Sequence, residues 1–71
     1  MKIVKIQDVK DRIEDIKMLA ETDDEAAHSM EDKLYRDVLY TIANIADHDK
    51  GYLLAELALS TRRLEFGRWC A

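Results

Sequence analysis

The chain has 71 residues, enough for one domain over residues 1–71, and its 48% hydrophobic and 37% charged residues are typical of a folded domain rather than a disordered one. It has no apolar run of about 18 residues and no secretory signal pattern, so we expect no membrane span and a cytoplasmic location. The net charge of −4 is concentrated in residues 22–50, which carry eight acidic and three basic groups, and this disfavours nucleic acid as a partner.

Apolar residues at helical spacing predict a first helix over about residues 7–20. They recur every three or four positions and form one stripe: Ile6, Val9, Ile13, Ile16 and Ala20. Proline is absent and glycine occurs only twice, which argues against a strand-and-turn architecture. Asp8 and Arg12 are four residues apart and are expected to pair on the solvated side of this helix.

A second helix is predicted over about residues 23–46. Thr22 followed three residues later by Glu25 fits a capping box at its start. The apolar residues that follow cover more than one side of the helix, as expected for a helix packed between two others. The remaining face carries acid–base pairs four residues apart, Asp32 with Arg36 and Lys33 with Asp37.

Residues 47–51 interrupt the pattern and are interpreted as a turn, in which Asp47 or Asp49 caps a third helix over about residues 50–62. The residues after it contain Leu64, Phe66 and Trp69 and are expected to form a short helical segment against the core. The fold class predicted is therefore all-α, a compact bundle of three helices with a short C-terminal helical segment.

Candidate metal ligands are few. Asp24 and His28 lie one turn apart and could face the same ion, but two ligands do not make a site. The other histidine, His48, lies about 20 residues on, on the order of 30 Å along the same helix. The acidic group is interpreted as a helix cap and solvated face, and no metal or cofactor is predicted: Glu21, Asp23, Asp24, Glu25, Glu31 and Asp32.

Catalytic constellations are missing from the sequence. It has no serine triad, no nucleophile elbow, no glycine-rich phosphate loop and no dinucleotide fingerprint. The single cysteine, Cys70, cannot form an internal disulfide, and the pattern assigns it no chemical role. We therefore predict that the protein is not an enzyme and assign no catalytic residue.

The C-terminal end combines aromatic and basic residues. Tryptophan and arginine are enriched among residues that dominate binding energies, so this end is the candidate binding site: Arg62, Arg63, Phe66, Arg68 and Trp69. The alternative is that Trp69 closes the end of a small core and the arginines are surface residues. The two interpretations are compatible, because an end that closes a core can also border an interface.

The run from Asp23 to Ser29 (DDEAAHS), the later LYRDVL and the terminal RWCA resemble a group of short proteins encoded by actinobacterial phages, prophages and their hosts. No activity is established for that group, so the resemblance implies no catalytic residues. It implies a small accessory protein made in a bacterial cytoplasm and draws attention to Asp24, His28 and Trp69. Gly67 departs from the pattern, which has alanine there.

The leading functional hypothesis is stoichiometric binding to a protein partner, one form of which is inhibition of a host factor. One alternative is an oligomeric sponge that binds a signalling nucleotide through Arg62, Arg63 and Arg68, with an aromatic ring stacked on the base. Another is a metal-dependent enzyme with Asp24, Glu25 and His28 completed across a subunit interface. A domain this small obtains only about 3–5 kcal/mol from one core, so homo-oligomerisation is a further expectation.

Overall fold

A computed structural model describes residues 3–45 and 47–68, and it contains three α-helices followed by a 3-10 helix. These are α1 (Ile6–Ala20), α2 (Asp24–Asn44), α3 (His48–Leu59) and the 3-10 helix Ser60–Arg63, which continues α3. The predicted all-α three-helix bundle is confirmed, and the 3-10 helix is the short helical segment expected near the C-terminal end. Residues 64–68 are not helical, whereas Ala46 and Trp69 lie outside the described residues.

The turn between α1 and α2 is closed by backbone bonds and by one carboxylate. The N–H groups of Thr22 and Asp23 donate to the carbonyl of Leu19, at 3.1 and 2.7 Å. The Asp23 side chain then accepts a hydrogen bond of 3.0 Å from the N–H of Ala26. The predicted capping box of Thr22 and Glu25 is therefore wrong, because Thr22 lies in the turn after α1 and the cap is Asp23.

The turn into α3 is capped by Asp47, one of the two residues considered for that position. Its carboxylate accepts from the N–H of Lys50 at 3.0 Å. Gly51 packs against Ile42 and Ile45 at this end of the bundle, and Tyr35 contacts Thr61 at the other. These contacts show that α2 and α3 are antiparallel.

The apolar core is small and draws on every helix. Among the described residues, eight apolar side chains are buried: Val4, Val9, Ile16, Ala27, Leu34, Val38, Leu54 and Ala58. On α2, five of the seven buried positions follow one stripe at spacings of three and four residues: Ala27, Glu31, Leu34, Val38 and Thr41. Two of the five residues in that stripe are polar, so α2 brings hydrogen-bonding groups into the core.

A buried ion pair joins α1 to α2. Arg12 Nη2 lies 2.7 Å from Asp37 Oδ2, and the Asp37 side chain is only 2% exposed. The expected surface pairs of Arg12 with Asp8 and of Asp37 with Lys33 are therefore wrong. Asp8 instead accepts a hydrogen bond from the backbone N–H of Lys5 at the start of α1. The reason is the register of α2, which turns Asp37 toward α1 rather than toward solvent.

The extended residues before α1 are also held by α2. The Val4 side chain is buried in the core, and its N–H donates to Thr41 Oγ1 at 2.9 Å. The Thr41 hydroxyl in turn donates to the carbonyl oxygen of Asp37 at 2.9 Å. Within residues 3–45 and 47–68, no helix is long and apolar enough to cross a membrane.

Substitutions in the Asp37–Arg12 pair test this packing directly. Asp37→Ala leaves the guanidinium of Arg12 without its carboxylate, and we expect the free energy of unfolding to fall by about 3 kcal/mol. Urea denaturation followed by helical circular dichroism measures the change. Replacing both partners with apolar residues, Arg12→Met with Asp37→Leu, should recover part of the loss, because the guanidinium is then no longer left without its carboxylate.

Asp15→Ala is the matched control, because Asp15 is an exposed acid on α1. It should change the free energy of unfolding by less than about 0.5 kcal/mol. Equal effects of Asp15→Ala and Asp37→Ala would contradict a structural role for the buried pair.

Candidate protein-binding surface

Arg68 fastens residues 64–68, here called the C-terminal strap, to α2. Its Nε lies 2.7 Å from Glu31 Oε1 and its Nη2 lies 2.9 Å from Glu31 Oε2, a bidentate pair. Nη2 also donates to the carbonyl oxygens of Thr61 and Leu64, at 2.9 and 3.2 Å. The guanidinium carbon sits 3.8 Å from the centroid of the Phe66 ring, a cation–π contact. Arg68 therefore fixes the direction of the strap.

Glu31 is the buried centre of this arrangement, with a side chain only 1% exposed. Burial raises the pKa of the Glu31 carboxyl. The Arg68 guanidinium and the Thr61 and Tyr35 hydroxyls together lower it by more, so the net pKa lies below its ordinary value of 4.5. The interpretation of Glu31 as part of a solvated acidic face is therefore wrong. Arg68 has a raised pKa, because its bonds to Glu31 stabilise the charged form.

Tyr35 and Thr61 extend the network toward α3. The Tyr35 hydroxyl is hydrogen-bonded to Thr61 Oγ1, which itself donates to the carbonyl of Ala58 at 3.1 Å. Burial and the nearby Glu31 charge raise the pKa of Tyr35, although the Thr61 hydrogen bond and the charge of Arg62 oppose the shift. Arg62 directly follows Thr61 on the 3-10 helix, so it lies at the end of α3 that contacts Tyr35.

The predicted binding residues fall into three groups. Arg62 and Arg63 are exposed on the 3-10 helix. Phe66 and Arg68 are half-buried and packed on the rest of the protein, so Arg68 already has its anionic partner. Trp69 lies outside the described residues, as does Cys70. That this end of the chain binds a partner stays a prediction, and Arg62 and Arg63 are its accessible members.

His28 and Asp24, the weak candidates for metal ligands, lie in different environments. His28 Nε2 lies 3.4 Å from Asp32 Oδ2, one turn further along α2, and the imidazole is mostly buried. Asp24 is exposed in the first turn of α2. Among the residues that the structure describes, no group of three or more His, Cys, Asp or Glu side chains could hold a metal ion.

A second feature, absent from the sequence interpretation, is an apolar surface where α2 and α3 meet, here called the α2–α3 face. Three of its large apolar side chains stand well out of the protein: Leu39 at 67%, Tyr52 at 75% and Leu59 at 61% exposed. Beside them runs an apolar groove of about 260 Å³, which is lined by Tyr35, Val38, Leu39, Ile42, Ala55, Ala58 and Leu59. Arg62 follows Thr61 at one end of this face, and Asp47 lies at the other end, beside Ile42 and Tyr52.

The face exists because α3 is apolar on all sides. From residue 51 to residue 59 the only charged residue is Glu56. Gly51, Leu54 and Ala58 fill the side that faces the core, which leaves Tyr52 and Leu59 pointing away from it. A helix that is apolar all round is usually covered on all sides. That excess was the signal in the sequence that could have located this face.

The α2–α3 face presents apolar side chains suited to binding and few groups suited to a chemical reaction. The Tyr35 hydroxyl, the polar atom of the groove lining, is turned toward Thr61. Comparison of the chain with protein-family models, with curated proteins and with solved structures finds no match.

The Glu31–Arg68 pair gives a pH-dependent prediction. Because the pKa of Glu31 is lower in the folded protein than its ordinary value, its stabilising contribution is present above about pH 4.5 and is lost as the pH falls further. We expect Glu31→Gln to lower the free energy of unfolding by about 1.5–3 kcal/mol at about pH 7, and this deficit should shrink toward about pH 3. Chemical denaturation across that pH range measures it.

Glu65→Gln is the control, because Glu65 is an exposed carboxylate on the same strap. Its effect on the free energy of unfolding should stay below about 0.5 kcal/mol. A Glu31→Gln deficit that does not change between neutral and acidic pH would show that the charge of Glu31 is not what holds the strap.

Proposed function

We propose that the protein is a non-enzymatic accessory protein that acts by stoichiometric binding of another polypeptide through the α2–α3 face. The observation that carries the proposal is the exposure of Leu39, Tyr52 and Leu59 around an apolar groove. Large contiguous apolar patches on small proteins usually mark a binding site, since leaving them in water is unfavourable.

The shape of the face favours a helical ligand. A groove between two antiparallel helices accepts the apolar side of an amphipathic helix, whose side chains at every third or fourth position enter it. The groove of about 260 Å³ between Tyr35 and Leu59 suits one or two such side chains. A ligand helix with an acidic residue opposite Arg62 and a basic residue opposite Asp47 would match the charges at the two ends.

The groove lining also favours binding over catalysis. Its side chains are aliphatic apart from Tyr35, whose pKa is raised and whose hydroxyl is already bonded to Thr61. A general acid or base needs a pKa near the working pH and access to the substrate, and Tyr35 lacks both.

The resemblance to phage-encoded accessory proteins supplies the proposed setting. In that setting the protein works in the bacterial cytoplasm, and the polypeptide bound is a host factor whose activity the association inhibits. Arg62 takes part at the end of the face and Arg63 lies beside it on the 3-10 helix. Phe66 and Arg68, the other described residues of the predicted binding end, contribute by holding the C-terminal strap against α2.

Site-specific photo-crosslinking tests the proposal even when the partner has not been identified. The photoreactive residue p-benzoylphenylalanine is placed at Leu39, Tyr52 or Leu59 in cells that express the protein. We expect discrete covalent adducts from these positions, because a bound polypeptide lies within reach of all three side chains. Denaturing electrophoresis and mass spectrometry identify the adducts.

Met18 provides the matched control position, because it is 69% exposed and lies on α1, away from the face. It should give little or no discrete adduct. Adduct yields from Met18 that equal those from the three face positions would refute a specific binding role for the α2–α3 face.

A further inference from the structure

A cleft runs between α1 and α3, on a different side of α3 from the α2–α3 face. Its volume is about 540 Å³, within the range of about 300–1,000 Å³ that is typical of sites for small molecules. On α1 it is lined by Ile6 and Lys10, which lie one turn apart. On α3 and the 3-10 helix the lining residues form one row at spacings of three and one or four residues: Leu53, Glu56, Leu57, Ser60 and Arg63.

The two ends of this cleft differ in chemistry. The chain enters α1 beside Thr41, near the end of α2, and α2 and α3 are antiparallel, so α1 and α3 run in the same direction. Along that direction the first lining residues are Ile6 and Leu53, and the last are Lys10 and Arg63. The cleft therefore has an apolar end and a cationic end.

The cations at that end are available to a ligand. Lys10 and Arg63 are exposed, and within residues 3–45 and 47–68 neither side chain forms a salt bridge or a hydrogen bond. The carbonyls of Leu57, Ala58 and Thr61, at the end of α3, already accept hydrogen bonds from other side chains. They therefore do not require Arg63 as a donor.

From this arrangement we infer that the cleft binds the free anion of a fatty acid, an aliphatic chain with one carboxylate. The carboxylate lies at Lys10 and Arg63, since a guanidinium can donate to both of its oxygens. The chain covers Ile6, Leu53 and Leu57 and removes them from water. This site is additional to the proposed function, because it lies on a different side of α3 from the face that binds a polypeptide.

Glu56 limits the charge of the head group. With Glu56 the cleft lining carries two positive groups and one negative group, which suits a carboxylate with one charge better than a phosphate with two. Glu56 also borders a depression lined by Tyr52 and Leu59. It therefore lies on the ridge of α3 between the two surfaces.

The lining also favours an aliphatic body for the ligand. No aromatic side chain is among the described residues of the cleft, so none can stack on the base of a nucleotide. The Ser60 hydroxyl donates to the carbonyl oxygen of Leu57 at 2.6 Å and is not a free donor. The apolar end thus suits a chain that needs no hydrogen bond.

Titration of the purified protein with decanoate at neutral pH, followed by the NMR shifts of its backbone amides, tests the inference. We expect saturable shifts at Lys10, Leu57 and Arg63, with a dissociation constant of about 1 mM or tighter. Octanoate should bind at least about fivefold more tightly than octanol, which has the same chain length and no charge. Acetate, which has the charge and no chain, should give no saturable shift.

Substitution of the two cations tests the head-group end. Lys10→Gln and Arg63→Gln should each weaken decanoate binding about threefold, and together about tenfold. Lys17→Gln and Arg62→Gln are the matched controls, because these cations lie on the same two helices and do not line the cleft. Neither control should change the affinity by more than about twofold.

Leu53→Gln tests the apolar end, because Leu53 is 49% exposed and its replacement spares the core. It should weaken octanoate and octanol by the same factor of about threefold, since it removes contact with the chain and none with the carboxylate. Leu59→Gln, on the α2–α3 face, should leave both affinities unchanged.

Three results would each overturn the fatty-acid site. They are equal affinities for octanoate and octanol, unchanged decanoate binding in the double variant of Lys10 and Arg63, and shifts confined to Leu39, Tyr52 and Leu59. Tighter binding of octyl phosphate than of octanoate would overturn the carboxylate head group. The photo-crosslinking result is independent of all of these, so the proposed function and this inference can fail separately.

Discussion

A carboxylate buried on α2 requires an opposite charge from another part of the chain. This constraint accounts for two ion pairs, that of Glu31 with Arg68 and that of Asp37 with Arg12. Glu31 draws the C-terminal strap onto α2, and Asp37 draws α1 onto it. Because a buried ion pair loses much of its attraction to desolvation, the two pairs add less net stability than their short distances alone would indicate. Breaking either pair by removing one partner is nevertheless costly, because the remaining charge is left in the core without that partner.

The helices and their order follow from local sequence, because helical periodicity and capping residues act within one or two turns. The two buried acids do not, since an acidic residue between charged neighbours normally predicts exposure. Glu31 nevertheless occupies the stripe of Ala27, Leu34 and Val38, and its place there indicates burial. Its partner Arg68 lies 37 residues away along the chain, so no local pattern connects them.

The α2–α3 face was hidden from sequence reasoning for a different reason. Periodicity assigns the apolar residues of α3 to a core, but a domain of this size has room for only one side of that helix. The surplus, Tyr52 and Leu59, is therefore exposed unless something covers it.

The buried pairs also constrain how such a sequence can change over evolutionary time. Loss of Arg68 alone leaves Glu31 charged and uncompensated in the core, and loss of Glu31 alone frees the strap that Arg68 fixes. Loss of Asp37 likewise leaves the largely buried guanidinium of Arg12 without this carboxylate. Homologous chains that keep this fold should therefore retain both members of a pair or replace both together with apolar residues. Joint substitution at positions 31 and 68, and at 12 and 37, is thus a signature by which distant homologues can be recognised.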